Sequence, residues 1–168
     1  MGNPFEAVWN TLKVTVDNAN EPKHPLHVIE VGDCWKYLTM VEEFIRYEEI
    51  GLHTTNDDEV HELLIDIKKL CEEQSQKLRK FMINEGIPLP DVTPVKPESQ
   101  EKEIPMGVKL TDDEIVNGMS LKLILSMQHA AKGQADAVRN DLGMMWLEFF
   151  SQWVTAGNTL KTLSRKTY

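Results

Sequence analysis

This chain predicts an all-α four-helix bundle, and three observations carry the prediction. Residues 27–53 and 57–85 form one pair of long apolar-periodic stretches, and residues 112–138 and 141–166 form another. Within each pair only a few residues intervene. Between the pairs lies a proline-rich run, residues 86–110, without helical periodicity. Short, long and short connections between four long helices describe two antiparallel hairpins tied by one crossover, which is the ferritin-like bundle topology. Neither hairpin can bury its apolar stripe alone, so residues 1–168 are expected to form a single domain, with 1–25 as an N-terminal arm.

Each element has its own local signals. Asn3-Pro4-Phe5-Glu6 reads as a helix start: Asn3 caps, Pro4 suits the first position and Glu6 completes a capping box. Phe5, Val8, Trp9 and Leu12 then share a stripe, predicting a short helix over 4–12 that lies on the bundle or on a neighbouring subunit. The first long helix is expected to bury Val31, Trp35, Leu38, Ile45 and Leu52 and to end near Gly51. Asn56 with Glu59 reads as the capping box of the second. Val60, Leu63, Leu64, Ile67, Cys71, Leu78 and Met82 line that helix, and Gly86 and Pro88 end it.

Pro88, Pro90, Pro94, Pro97 and Pro105 exclude a helix from the crossover. A helix of about 27 residues is roughly 40 Å long, and about 24 extended residues span up to roughly 75 Å, so the run can cross the bundle end to end. Thr111 with Glu114 caps the third helix, whose stripe is Ile115, Met119, Leu123 and Met127. Asn140 is expected to cap the fourth. That helix is apolar almost all round, with Met144, Leu147, Phe150 and Val154 opposite Met145, Phe149 and Trp153. A helix buried on more than one side points to a homodimer.

Composition narrows the function. The chain has 168 residues, 41 % of them hydrophobic and 27 % charged, with a formal net charge of −9. That charge argues against nucleic acid and against an anionic membrane surface. No apolar run approaches a membrane span, and no signal-peptide pattern opens the chain, so a cytoplasmic location is expected. Cys34 and Cys71 are too few for a disulfide framework and read as buried thiols. Gly-rich phosphate loops, Gly-x-Ser-x-Gly elbows and Cys-x-x-Cys pairs are absent.

A ferritin-like carboxylate centre needs a Glu from each of two helices and Glu-x-x-His from each of the other two. No Glu-x-x-His occurs at mid-helix. Glu42 and Glu49 fall in the apolar series of the first helix and Gln74 on that of the second, so these three are the metal-ligand candidates. Read structurally, Glu42 sits at the core rim with a basic or hydroxyl partner, and Gln74 is a satisfied buried amide. His129 reads as a surface or boundary imidazole. His24, His27, His53 and His61 cluster by sequence near one hairpin end, where His53 and His61 with Asp57 and Asp58 could hold zinc or nickel.

Lys80-Phe81-Met82-Ile83-Asn84-Glu85-Gly86-Ile87-Pro88-Leu89-Pro90 and Leu110-Thr111-Asp112-Asp113-Glu114-Ile115 resemble a family of unknown function from spore-forming Gram-positive bacteria, often labelled spore coat proteins. Asn3-Pro4-Phe5-Glu6-Ala7, Glu43-Phe44-Ile45-Arg46-Tyr47-Glu48-Glu49 and Arg139-Asn140-Asp141 also resemble that group. The resemblance covers nearly the whole chain and implies a ferritin-like fold and spore association. Many relatives place a His on the second helix where this chain has Gln74, which weakens a metal site taken by analogy. The expected function is thus a non-catalytic structural or assembly protein with coat or other protein partners, without a cofactor. The alternatives are a metal-binding ferritin-like oxidoreductase or storage protein using iron, manganese or zinc, and a bundle that binds a small molecule or peptide.

Overall fold

The computed structural model describes residues 3, 6, 9, 10, 13, 23–97, 99 and 101–167, without the side chains of 101 and 162–167. Four long helices make up its frame: α1 (Val28–Leu52), α2 (Asp58–Asn84), α3 (Asp112–Asp136) and α4 (Asn140–Thr167). Two 3-10 turns, Glu101–Glu103 and Met106–Val108, lie in the crossover. There is no strand among the described residues. Of the short N-terminal helix, Glu6, Trp9, Asn10 and Lys13 are helical and Trp9 is exposed; the rest of that stripe lies outside the described residues.

Local chemistry explains most helix ends. Asp57, not Asn56, caps α2: its Oδ1 accepts from the Val60 amide at 3.0 Å. Asp58 and Glu59 then favour the positive end of the helix dipole. At the other end Gly86 adopts φ 71°, and the amides of Gly86 and Ile87 bond to the carbonyls of Ile83 and Met82 at 3.1 and 2.9 Å. That is a Schellman stop, sealed by packing of the buried Ile87 near the buried Met82. Thr111 and Glu114 form the expected capping box of α3. α1 ends at Leu52, next to Gly51 as expected, but Gly51 is still helical and does not form the cap; Leu64 of α2 packs directly over it.

Helix directions follow from contacts at the two ends. Tyr47, late in α1, donates its hydroxyl to the carbonyl of Glu114, early in α3, at 3.0 Å. Asp33, early in α1, takes an ion pair from Lys132, late in α3, at 2.9 Å. Thr55, in the α1–α2 turn, donates to Asp112 at the start of α3. Arg139, in the α3–α4 turn, reaches Glu85 at the end of α2. So α1 is antiparallel to both α2 and α3, and residues 86–110 travel the length of the bundle. On the way Thr93 donates to Glu43 of α1.

The core draws on every helix: Tyr37, Leu38 and Val41 from α1, Leu64, Leu78 and Met82 from α2, Ile115 and Met119 from α3, Trp146, Phe149 and Trp153 from α4. The α2 stripe is buried as expected, at all seven positions. Of the expected α1 stripe, Leu38 and Ile45 are buried and Val31 and Leu52 pack against the core, but the inward face extends past it on one side. Trp35 is 45 % exposed, while Tyr37 and Val41 are inside. In α4 the second stripe is covered in part: Phe150 packs against the core, Met144 and Leu147 are half-buried and Val154 is exposed. Among the described residues no helix is long and apolar enough to cross a membrane.

Candidate functional site

Several polar groups lie in the bundle interior, and α1 supplies more of them than any other helix. Tyr37 is 1 % exposed, so its hydroxyl must find partners inside. It donates to Gln74 Oε1 at 2.7 Å and accepts from Trp153 Nε1 at 2.7 Å. Gln74 Nε2 passes the chain on to Gln152 Oε1 at 2.8 Å. Three helices are thereby joined by one set of hydrogen bonds. Around it Tyr37 stacks on Phe149 at 5.5 Å and meets Trp146 and His129 edge-on at 5.1 and 5.3 Å. His129 is thereby a boundary imidazole, half-buried, which is one of the two settings expected from the sequence. It packs on two aromatic rings, its Nε2 lies 3.0 Å from the Asp33 carbonyl, and burial lowers its pKa. The same desolvation pushes the Tyr37 hydroxyl and both thiols up, Cys34 to about 12.

The three candidate ligands are not brought together. Glu42 Oε1 accepts from Ser75 Oγ at 2.5 Å and from Arg79 Nε at 2.7 Å. Glu49 accepts from Arg46 at 2.6 Å, one turn away on its own helix. Gln74 spends its oxygen and its nitrogen on Tyr37 and Gln152. The histidine cluster is also dispersed. His27 caps the start of α1 and His53 its end, and 25 residues put those ends about 37 Å apart. Among the described residues no three His, Cys, Asp or Glu side chains approach closely enough to hold a metal ion.

The innermost carboxylate is Glu48, which the sequence reading passed over. Its side chain is fully buried, and its Oε1 accepts from Lys122 Nζ of α3 at 2.9 Å. Lys122 also donates to the Phe44 carbonyl at 3.2 Å and lies 3.7 Å from the Tyr47 ring centroid. Glu48 Oε2 finds no hydrogen-bond partner among the described residues. Desolvation outweighs the help of Lys122 and pushes the Glu48 carboxyl up to about 7. The signal for Glu48 was present: it lies three residues from Ile45 and seven from Val41, on the face that Tyr37 and Leu38 define.

A cation centre of the ferritin-like type does not fit this donor set. Such a site needs carboxylates and imidazoles converging from four helices. Here α3 turns an ammonium, Lys122, toward the fully buried Glu48, and Glu42 is neutralised by Arg79.

A second polar cluster clamps the bundle end where α1 begins and α2 stops. Arg139 is buried, and its guanidinium forks onto Glu85 at 2.5 and 2.8 Å and onto Asp141 at 3.0 and 2.6 Å. Its hydrogen bonds to Glu85 and Asp141 lower both carboxyl pKa values and raise its own. Beneath it Glu30, 1 % exposed, accepts the amides of Val138 and Arg139 at 2.8 and 3.0 Å and that of His27 at 2.8 Å. Those bonds outweigh burial and lower the Glu30 pKa. Arg139-Asn140-Asp141 was legible as a polar turn, but its reach to Glu85 was not.

Known proteins share this architecture. A solved structure described as a "putative spore coat protein" from Bacillus halodurans C-125 superposes with a TM-score of 0.83 at 22 % identity, covering 86 % of this chain and 91 % of the other. A DUF305 fragment from Deinococcus radiodurans superposes at 0.62 with 14 % identity, covering 83 % and 97 %. At such identities the likeness is one of fold alone. By sequence, the Uncharacterized protein YvdQ of Bacillus subtilis (strain 168) is 22 % identical over 150 residues, 89 % of this chain and 88 % of YvdQ. Residues 15–167 match one family throughout, and the chain belongs to that family, the proteins of unknown function designated DUF3231.

Proposed function

We propose that this protein is a non-catalytic structural or assembly protein, a single ferritin-like domain that works in the cytoplasm of a sporulating cell and associates with the spore coat, as a homodimer. One observation carries the reading. The interior polar groups are spent on one another, Tyr37 with Gln74, Gln152 and Trp153, Glu42 with Ser75 and Arg79, Glu48 with Lys122. Networks of this kind rigidify a core and specify one packing, and Glu48 Oε2, which finds no partner among the described residues, is sealed inside the bundle rather than presented at a surface. The up-down-down-up order of the helices and the full-length crossover support the ferritin-like assignment. The likeness to the Bacillus halodurans structure described as a spore coat protein supports the coat association.

Metal analysis of tag-free protein, purified without chelators, tests this reading against a metal-dependent oxidoreductase or store. Iron, manganese and zinc well below one per chain, and unchanged in Glu42→Gln, are expected. Stoichiometric iron or manganese that Glu42→Gln abolishes would overturn the proposal.

A further inference from the structure

The geometry points to the chamber between the crossover and the end of α1 as a binding site for a small monocarboxylate with an apolar body. The site is separate from the assembly role proposed above, and neither depends on the other.

The chamber exists because the crossover is tied to the first hairpin at two places and stands off between them. Thr93 donates to Glu43 of α1, and Thr55, in the turn after α1, donates to Asp112 at the start of α3. Those ties lie about 18 Å apart along α1 at 1.5 Å per residue. Residues 94–111, which bridge them, could reach roughly 60 Å when extended, so the run bows outward. Pro94, Pro97 and Pro105 keep it from taking up the slack as a helix packed flat on the bundle. The space left under the bow is about 380 Å³, walled by the last turn of α1, by Lys68 of α2 and by the crossover. That volume lies within the range of small-molecule sites.

Both walls are apolar. Ile50 and Leu52 come from α1, and Val95, Pro97, Ile104 and Val108 from the crossover. Ile50, Val95, Ile104 and Val108 take no part in the bundle core. Val95 and Val108 are 70 % and 68 % exposed, so their apolar surface is still to be covered.

The polar groups decide the charge of the ligand. Among the described residues the one acid in the lining is Glu49, and it accepts from Arg46 at 2.6 Å. Lys68 gives its ammonium to Glu72 at 2.7 Å, and Thr54 gives its hydroxyl to the carbonyls of Ile50 and Gly51. The Lys96 ammonium, the His53 ring and the Ser99 hydroxyl line the chamber without a partner among the described residues. A cationic ligand meets no unspent carboxylate here. A carboxylate meets Lys96 in a charge-assisted hydrogen bond, and a single unspent ammonium suits one carboxylate. The grooves along the α2–α4 seam differ, since they are lined by Asp141 and Glu148 and by Asp66 and Glu73. The net charge of −9 opposes an anion at long range, but salt screens it beyond about 8 Å, so the local ammonium decides.

An NMR titration of the full chain with octanoate, octanamide and octylamine tests the site. Octanoate should shift the amides of Ile50, His53 and Ile104 saturably, with a Kd of about 1 mM or tighter. Octanamide should bind at least about 5-fold more weakly, and octylamine more weakly still. Lys96→Met, at an exposed position, should weaken octanoate to the level of octanamide and leave octanamide unchanged. Ile104→Trp should fill the chamber and abolish binding of both; Val108→Trp, on the exposed rim, is the second filling variant should the first perturb the fold. Equal affinity for acid, amide and amine, or octanoate binding untouched by Lys96→Met, overturns the carboxylate assignment. Shifts confined to the α2–α4 seam, binding that persists in both tryptophan variants, or no saturable shift up to about 10 mM overturns the site itself.

Discussion

Placing one methyl group on each of two helix glycines should shift stability in opposite directions. Alanine is a better helix former than glycine by about 1 kcal/mol, so both substitutions begin with that gain. At Gly32, in α1, a Cβ meets nothing within 4 Å. Gly32→Ala should therefore stabilise the fold by about 0.5–1 kcal/mol. At Gly133, in α3, the same Cβ would stand 2.6, 2.7 and 2.9 Å from Cε2, Cδ2 and Nε1 of Trp146. Trp146 is fully buried and held by Tyr37, Phe149 and His129, with ring centroids 5.1 to 5.9 Å away, so the indole has nowhere to retreat. Overpacking of this kind costs about 1–3 kcal/mol, at the upper end when the neighbour is a boxed aromatic ring. Subtracting the propensity gain leaves Gly133→Ala about 1–2 kcal/mol less stable than wild type. For a chain of this length that is a fall in Tm of roughly 3–6 °C. Urea unfolding followed by circular dichroism should show the midpoint moving up for Gly32→Ala and down for Gly133→Ala, with the slope unchanged. A Gly133→Ala protein as stable as wild type would mean that α3 and α4 do not approach through this glycine, and the packing described above would be wrong.

Three further outcomes follow from the polar clusters and the crossover. The Glu48 carboxyl titrates at about 7 when folded, above its unfolded value of 4.5, so the folded state holds the extra proton between those pH values. Its contribution to stability is full below 4.5 and is lost as pH rises toward 7. The stability difference between wild type and Glu48→Gln should change with pH in that window; His129, whose lowered pKa acts in the opposite sense, cancels in the comparison, and a flat difference would refute the assignment. Arg139→Lys keeps the charge but loses the two-pronged grip on Glu85 and Asp141; with Asp141 partly exposed and screened, a loss of about 2 kcal/mol in urea unfolding is expected. Limited proteolysis in the crossover between 94 and 103 should leave two fragments that co-elute on gel filtration, because the core is shared by all four helices; fragments that separate while folded would refute the single domain.

What the amino-acid order determined alone is what neighbours three or four positions apart decide. The capping box at Thr111 and Glu114, the stop at Gly86 and Ile87, and the α2 stripe from Val60 to Met82 were all legible, because a helix end or an apolar period is settled within a turn or two. The proline run likewise announced the crossover, since proline cannot continue a helix whatever surrounds it.

Tertiary structure decided which face of a helix counts as inside. On α1 the apolar period is blurred twice, by the buried polar residues Glu30, Asp33, Glu42 and Glu48 and by the exposed Val28, Ile29 and Trp35, so Trp35 was read as inside and Glu48 was missed. On α3 two apolar faces compete, and only packing against α1 and α4 tells core from surface. Of the second stripe on α4, Phe150 packs against the core, Met144 and Leu147 are half-buried and Val154 is 37 % exposed, while α3 leaves Leu121, Ile124 and Leu125 exposed besides. The partnerships that close the interior and the clamp join residues 74 apart, Glu48 with Lys122, and 54 apart, Glu85 with Arg139. A buried charge costs too much without a partner, but composition and period do not say which residue on another helix will supply it. That choice is made when four helices settle into one packing, and with it whether Glu42, Glu49 and Gln74 converge on a ligand or, as here, are each held by a neighbour of their own.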